Sequence, residues 1–286
     1  MLILNHSTRG DWVFWRGGYI KAAMMHITKK RDDRWEYQKF FIHATHLGDI
    51  IVCTNMVYNL ALLGKFKAVV KYSKKDVGKS LLRIFDYEDK IIMEDFHGRQ
   101  GMPFNFSRFV HLKRGQMGYW CFENFGTMTA QSRKITEFKL PKCLLKPYKS
   151  DSAYQTCQFN SFSSLYFKKH YDRNEIDAAF SMFDKGNTYY LGRPGTRTYT
   201  AKAKTHFADL ETQASFLLGC DSFFGVDSGM SHFAGALGVK GDVCLQPDDN
   251  NLIGCVETMY NLMYPTLRLH RRLSVRERIP HDKALL

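Results

Sequence analysis

Short apolar runs alternate along the chain with segments whose apolar positions recur at helical spacing. This alternation is typical of βαβ units, in which each strand is followed by a helix that packs on a parallel sheet. The first half predicts strands at residues 39–44, 68–72 and 90–93, and helices at 50–63 and around 81–85.

The second half repeats the same order of elements. Between the halves, Pro141, Pro147 and a stretch rich in lysine and serine interrupt the pattern, so residues 141–152 predict a linker. Beyond it the sequence predicts strands over 154–159, 188–191, 222–226 and 242–245, and helices over 174–183, 209–218 and 230–237.

Two successive βαβ series joined by a linker predict an α/β protein of two Rossmann-like lobes that face each other across a cleft. The expected organisation is a basic aromatic extension, an N-terminal lobe, a C-terminal lobe and a basic C-terminal tail, at residues 1–38, 39–150, 151–265 and 266–286.

The composition narrows the class of protein. With 44% hydrophobic and 24% charged residues, the 286-residue chain fits a soluble globular protein. Its best apolar run, residues 50–63, is interrupted by Thr54, Asn55 and Asn59, and the apolar residues 1–4 are too few for a signal peptide. The seven cysteines are odd in number and include no Cys-x-x-Cys pair, which predicts reduced thiols. We therefore expect a cytoplasmic protein without integral membrane contact.

Basic residues are concentrated in the first half. Residues 1–95 hold 16 basic and 11 acidic side chains, and residues 96–150 hold 10 and 2. Residues 151–265 hold 9 basic and 13 acidic side chains, whereas residues 266–286 hold 6 and 2. This asymmetry indicates that the first half faces an anionic partner, although a solvated basic surface would have the same composition.

One turn in the second half has the chemistry of an anion site. Asp227, Ser228 and Gly229 follow a predicted strand and precede a helix rich in small residues. Asp227 or Ser228 can cap this helix, and Gly229 lets a ligand approach the backbone. The N-terminal N–H groups and the helix dipole then attract a diphosphate, and His232, about one turn later, can add a donor. The alternative is an ordinary capped helix with a core histidine.

A second turn follows the first predicted strand of the N-terminal lobe. Gly48 and Asp49 stand there, at the sheet edge where open α/β proteins bind ligands. A carboxylate at that edge can remove a proton from a bound hydroxyl as a general base. The alternative is that Asp49 only caps the next helix.

A third group of polar residues follows the strand predicted at 154–159. Ser163 and Ser164 supply hydroxyls that can bind phosphate oxygens. Lys168 and Lys169 supply ammonium groups that can neutralise a leaving diphosphate. A solvated lysine pair is the alternative.

In this order, the three groups resemble those of the glycosyltransferase family 9 enzymes, the heptosyltransferase family, which have the GT-B fold. In that family a Gly-Asp turn carries the aspartate that acts as the base, and Gly48-Asp49 matches it. The family's Asp-Ser/Thr-Gly-x-x-His phosphate motif matches residues 227–232. Its other Ser/Thr and Lys phosphate contacts resemble the third group. The similarity is specific at Gly48-Asp49 and over 209–238, and weaker over 154–195.

The resemblance implies an inverting transfer whose donor substrate is a nucleotide diphosphate sugar, without a further cofactor. Asp49 would deprotonate the acceptor hydroxyl, whose oxygen attacks the anomeric carbon as the nucleotide diphosphate leaves. The chain holds no Asp-x-Asp, the spacing with which many transferases hold a divalent ion. We therefore expect a metal-independent enzyme in which helix dipole, serine and lysine neutralise the diphosphate.

The basic N-terminal lobe is the expected acceptor side. A composition of cations among aromatic residues suits a phosphate backbone with exposed bases. We therefore favour a hydroxylated base in DNA as the acceptor, flipped into the cleft as in bacteriophage DNA modification. The alternative that the family implies is the phosphorylated core of lipopolysaccharide, and a second is a nucleic-acid-binding protein without catalysis. The cations expected to contact the acceptor are Arg99, Arg108, Lys113 and Arg114.

Overall fold

The chain divides into two compact units, Met1–Cys143 and Leu144–Leu286, and the division falls inside the segment predicted as a linker. The computed structural model describes residues 3–5, 12–14, 37–42, 46–65, 67–93, 110–112, 138–159, 171, 173–192, 198, 200–245, 257 and 260–271.

The first unit is built around a parallel sheet. Its strands are β1 (Ile3–Asn5), β2 (Trp12–Phe14), β3 (Tyr37–Ile42), β4 (Lys67–Tyr72), β5 (Phe85–Asp86), β6 (Ile91–Met93), β7 (Val110–Leu112) and β8 (Lys142–Cys143), and its helices are α1 (Leu47–Gly64) and α2 (Lys75–Ile84). Four strands form the sheet in the order β6-β4-β3-β7, and all of its pairs are parallel. The pairs β1–β2 and β5–β8 are antiparallel.

Helix α1 is the central helix of this unit. Its length and composition would suffice to span a membrane, but 72% of it is buried inside the protein, as in a core helix. Two of its polar side chains, Thr54 and Asn59, are buried with hydrogen-bond partners. The hydroxyl of Thr54 donates to the carbonyl of Ile50 at 2.7 Å, and the amide of Asn59 donates to the carbonyls of Asn55 and Lys139 at 2.8 and 2.9 Å. These bonds offset the cost of burying Thr54 and Asn59, whereas Nδ2 of Asn55 has no hydrogen-bond partner among the described residues.

The second unit holds a larger parallel sheet. Its strands are β9 (Gln155–Gln158), β10 (Thr188–Gly192), β11 (Lys204–Phe207), β12 (Ser222–Val226), β13 (Gly241–Leu245) and β14 (Leu267–Arg271), and its helices are α3 (Arg173–Phe183), α4 (Leu210–Gly219) and α5 (Gly229–Ala236). The order is β11-β10-β9-β12-β13-β14, and all pairs are parallel. Counted from β9, this is the order 3-2-1-4-5-6 of a Rossmann fold.

An aromatic cluster joins α3 to this sheet. The ring of Phe224 on β12 lies 5.2 Å from that of Phe180 and 5.9 Å from that of Phe159, centroid to centroid. All three are buried. Edge-to-face pairs at these distances add to the free energy gained from apolar burial.

The described cysteines behave as core residues. Cys53, Cys143, Cys157, Cys220 and Cys244 are all free thiols. Burial raises the pKa of the Cys220 thiol to about 11 and that of the Cys244 thiol to about 12, so both are protonated at neutral pH.

Two strands of the second sheet, β11 and β14, were not expected from the sequence, and in the first unit β1, β2, β5, β7 and β8 were not expected either. β11 is a mostly polar strand at an edge of the sheet, and β14 lies within the range predicted as a basic tail. β14 pairs in register with β13, which places residues 267–271 in the second sheet rather than in a tail. Two of its side chains face a partner there, since Arg268 and His270 lie 3.0 and 2.7 Å from the carboxylate of Asp242.

Candidate functional site

The second sheet changes direction between β9 and β12. The chain continues from β9 to β10 on one side and resumes with β12 on the other. The connections after these two neighbouring strands therefore diverge and leave a crevice at their carboxyl ends, where open α/β sheets bind ligands. Asp227 and Ser228 come directly after β12 and lie at this edge.

Strand β12 approaches β9 closely just before the edge. A Cβ on Gly225 would lie 2.2 Å from the carbonyl oxygen of Gln158, its register partner on β9. Because the obstacle is backbone, a side chain at this position would force the two strands apart. Glycine is therefore required where β12 enters the site.

Helix α5 begins with a reciprocal cap. Ser228 is the N-cap, and its Oγ accepts a hydrogen bond from the backbone N–H of Ser231 at 3.4 Å. In return, Oγ of Ser231 accepts from the N–H of Ser228 at 2.8 Å. This capping box satisfies two of the four N–H groups that an α-helix leaves unpaired at its start. Helical geometry gives the N–H groups of Gly229 and Met230 no acceptor within the helix, so they remain as donors for an anion.

Tyr260 joins the residues around this cap. Its hydroxyl donates to Oδ1 of Asp227 at 2.8 Å and lies 2.7 Å from Oγ of Ser231. The ring of His232 stacks on it at 4.8 Å and 27°, and Nε2 of His232 lies 3.4 Å from the same Asp227 oxygen. All four side chains are buried. The carboxylate is thus held by a hydroxyl and an imidazole at once.

The structure brings the predicted residues of this turn together and shows what most of their polar atoms contact. Asp227, Ser228, Gly229 and His232 surround the start of α5, as expected. Ser228 acts as the helix cap, which the sequence left as an alternative, and His232 is a buried histidine. Among the described residues, Nδ1 of His232 has no hydrogen-bond partner.

Sequence reasoning missed the two tyrosines that support this site. Tyr260 and Tyr264 are four residues apart, the backbone N–H of Tyr264 donates to the carbonyl of Tyr260 at 2.7 Å, and both rings contact His232. The small residue facing them is also required, because a Cβ on Gly235 would lie 2.5 Å from the ring of Tyr264. The spacing of the tyrosines together with the glycine in α5 was the available signal.

The first sheet has the same kind of reversal. Its order β6-β4-β3-β7 places β3 between β4 and β7, so the crevice lies at the carboxyl end of β3. Helix α1 begins near that end with His46 as the N-cap, and no side-chain hydrogen bond from His46 completes the cap. Gly48 is buried, and Asp49 is half-buried in the first turn, where the helix dipole stabilises a carboxylate.

Two contacts fix the neighbouring elements at this edge. The N–H and hydroxyl of Ser73 donate to the carbonyl of Ile42 at 3.0 and 2.8 Å, which ties the start of α2 to the end of β3. The hydroxyl of Thr54 lies 3.3 Å from that of Tyr72, whose pKa is raised by burial. These contacts join the end of β4 to the end of β3 and to helix α1.

Two predicted groups lie outside the described residues. They are the phosphate contacts Ser163, Ser164, Lys168 and Lys169 and the acceptor contacts Arg99, Arg108, Lys113 and Arg114. Within the part of the chain that the structure describes, no three His, Cys, Asp or Glu side chains are placed to hold a metal ion.

Comparison with known proteins gives matches among solved structures. The chain matches ADP-heptose lipopolysaccharide heptosyltransferase II of E. coli with a TM-score of 0.53 and 12% identity, over 82% of this chain and 90% of that one. It matches the E. coli heptosyltransferase WaaC with ADP at 0.49 and 12%, over 82% and 93%. A glycosyl transferase family 9 protein of Veillonella parvula matches at 0.48 and 12%, over 85% and 88%.

At this identity the first match establishes the fold. The α/β fold class expected from the sequence, GT-B with two Rossmann-like lobes, is confirmed. No protein-family model matches the sequence, and no curated protein matches it either.

Proposed function

We propose that this protein is a glycosyltransferase that takes a sugar from a nucleoside diphosphate. The main observation in favour of this proposal is the geometry at the start of α5. At this point two backbone N–H donors and the positive end of the helix dipole lie beside the turn Asp227–Ser228–Gly229. The turn is located where the strand order of the Rossmann sheet reverses. The names of the neighbours support the same donor class, since one is an ADP-heptose heptosyltransferase and another holds ADP.

Asp49 is the proposed general base. It lies at the reversal of the first sheet, so each unit places one functional turn at the edge where its sheet binds ligands. Asp49 accepts the proton of the acceptor hydroxyl as that oxygen bonds to the anomeric carbon. The bond from the anomeric carbon to the diphosphate oxygen breaks with inversion, and the electron pair leaves on the nucleoside diphosphate.

The negative charge of the leaving group is proposed to be neutralised without a metal ion. The N–H groups at the start of α5 and the helix dipole face that charge, and the serines and lysines of the third group add hydroxyls and ammonium groups. The absence of an Asp-x-Asp in the sequence motivates this part of the proposal.

The acceptor is proposed to be anionic and to bind the first unit, with a hydroxylated base in DNA favoured. Residues 1–150 carry 26 of the 41 lysines and arginines. On α2, Lys75, Lys79 and Arg83 stand at i, i+4 and i+8, so they share one face of the helix. This α2 basic row begins at the edge that holds Asp49, because α2 starts where β4 ends. A row of cations leading to the base suits a polyanion.

The phosphorylated core of lipopolysaccharide is the second candidate acceptor. The E. coli neighbour is named as a lipopolysaccharide heptosyltransferase, which is the observation in its favour. A third candidate is a protein that binds nucleic acid without catalysis. Either enzyme should slowly hydrolyse a nucleotide sugar, because it has a working donor site, whereas the non-catalytic protein should not.

The donor site is tested by titration calorimetry with ADP, UDP, GDP and dTDP, followed by hydrolysis assays with the matching sugars. Proline is tolerated at the first position of a helix, so Gly229→Pro removes one donor N–H and keeps α5. Gly229→Ala is the matched control, since it adds a Cβ and keeps the N–H. We expect Gly229→Pro to weaken binding at least about tenfold more than Gly229→Ala does. The proposal is wrong if none of the four nucleotides binds or if both variants bind alike.

A further inference from the structure

We propose that Tyr260 is a positioning residue of the donor site, which rests on the proposed function of that site. Tyr260 holds the carboxylate of Asp227 away from the start of α5, so that the donor diphosphate can occupy the helix N-terminus. Tyr260 lies outside the turn that carries the phosphate chemistry and acts through Asp227 and His232.

The need for such a residue follows from the position of Asp227. It comes one residue before the N-cap, and a carboxylate there is attracted by the same N–H groups and helix dipole as a diphosphate. The two anions therefore compete for the N–H groups of Gly229 and Met230. A donor site can form here only if another contact holds the carboxylate.

The hydrogen bond from Tyr260 and the nearby imidazole of His232 supply that contact. Oδ1 accepts from the hydroxyl of Tyr260 at 2.8 Å and lies 3.4 Å from Nε2 of His232. Both partners belong to side chains that are at least nine-tenths buried, so water cannot replace them easily. Tyr260 and His232 thus compensate the carboxylate at Oδ1, which favours a ligand over Asp227 at the helix start.

Tyr260 itself is held firmly. Its side chain is fully buried, its ring stacks on His232, and the ring of Tyr264 meets it edge-on at 5.4 Å. Its hydroxyl also lies 2.7 Å from Oγ of Ser231 in the capping box. One hydroxyl thus connects the end of β12 with the first turn of α5, and its position is fixed from several sides.

The variant Tyr260→Phe isolates this role, because it keeps the ring and removes only the hydroxyl. Asp227 then loses its short hydrogen bond from Tyr260, and the N–H groups at the start of α5 attract its carboxylate more effectively than before. The carboxylate is expected to turn to them and exclude the diphosphate. Asp227→Asn in the same chain removes the negative charge and should restore the site.

The test is calorimetric titration of the full-length protein with the nucleoside diphosphate, among ADP, UDP, GDP and dTDP, that binds the wild type. Tyr260→Phe should weaken binding about tenfold or more. The double variant Tyr260→Phe/Asp227→Asn should recover most of that loss, a non-additive result. Tyr154→Phe is the matched control, because it removes a buried hydroxyl bonded at 2.7 Å to the carbonyl of Phe216, at the opposite end of β9. It should lose stability and keep its affinity.

Each outcome decides between a positioning and a merely structural role. Additive losses, with no recovery in the double variant, would overturn the positioning role of Tyr260, as would an equal loss of affinity in Tyr154→Phe. If none of the four nucleotides binds the wild type, the proposed function fails first and this inference falls with it. If the wild type binds and Tyr260→Phe binds equally well, only the inference on Tyr260 fails.

Discussion

Nε2 of His232 lies 3.4 Å from Oδ1 of Asp227, and the exposed fractions of the two side chains are 8% and 9%. A carboxylate so deeply buried stays ionised only where a donor or a positive charge offsets the loss of water. His232 provides part of that compensation, and its stacking on Tyr260 sets the orientation of the imidazole.

We expect His232→Ala to weaken nucleoside diphosphate binding by about 1–3 kcal/mol, because it removes a partner of Asp227 and a donor near the phosphates. Titration calorimetry measures the change. His206→Ala is the control, since His206 stacks on Phe216 at 3.8 Å in the same unit and lies on β11 rather than on α5. Equal affinities of His232→Ala and the wild type would contradict the prediction.

Ser228→Ala should lower the free energy of unfolding by about 0.5–2 kcal/mol, because the cap of α5 is lost. Ser228→Gly should cost only a few tenths of a kcal/mol, since glycine is a tolerated N-cap. Urea denaturation measures both. If Ser228→Gly keeps its stability and still loses nucleotide affinity, the hydroxyl contacts the ligand directly and is more than a cap.

Asp49→Asn should reduce turnover by about 10² to 10⁴ while leaving donor binding intact, as expected for a lost general base. The matched control is Asp76→Asn, which makes the same change in the first turn of α2. Both variants should lose a similar small stabilisation by the helix dipole. Wild-type turnover in Asp49→Asn would show that Asp49 has only a structural role.

The parts of the fold that sequence reasoning predicted are those with strong local signals. The apolar run of α1 and the five-residue strand β12 with its capped helix were predicted within three residues of their bounds. β14 was missed because it alternates leucine with arginine and histidine, which resembles a charged tail until Asp242 is seen beside it. Tyr260 was missed because its contact with Asp227 spans 33 positions, and no local pattern reports such a distance.

If the acceptor is DNA, binding should weaken steeply with salt, with a log–log slope of about −0.9 for each phosphate neutralised on duplex. Five contacts would give a slope beyond about −4. Replacing the three residues of the α2 basic row together by alanine should flatten the slope and spare nucleotide binding. Replacing Arg108, Lys113 and Arg114 together by alanine should have the same effect. Salt titrations by fluorescence anisotropy test this. Salt-insensitive binding to DNA beside tight binding to a phosphorylated oligosaccharide would favour lipopolysaccharide.

Removal of metal ions should leave turnover and nucleotide affinity unchanged, because N–H groups, hydroxyls and ammonium groups are proposed to neutralise the diphosphate. Activity is measured before and after dialysis against EDTA, with total metal content determined on the same samples. A loss of turnover that added magnesium or iron restores would contradict the metal-independent mechanism.

The strand order also has a consequence for how the protein folds. β12 pairs with β9, and the side chains of Gln155 and Ser222 that meet across this pair are 67 positions apart. Contacts of such sequence separation form late in folding, because a long loop must close before they contribute. The turn at Asp227 therefore acquires its geometry only when both halves of the second sheet have joined. Nucleotide binding should accordingly appear with the final, slow phase of refolding, and a ligand added during refolding would report completion of the sheet.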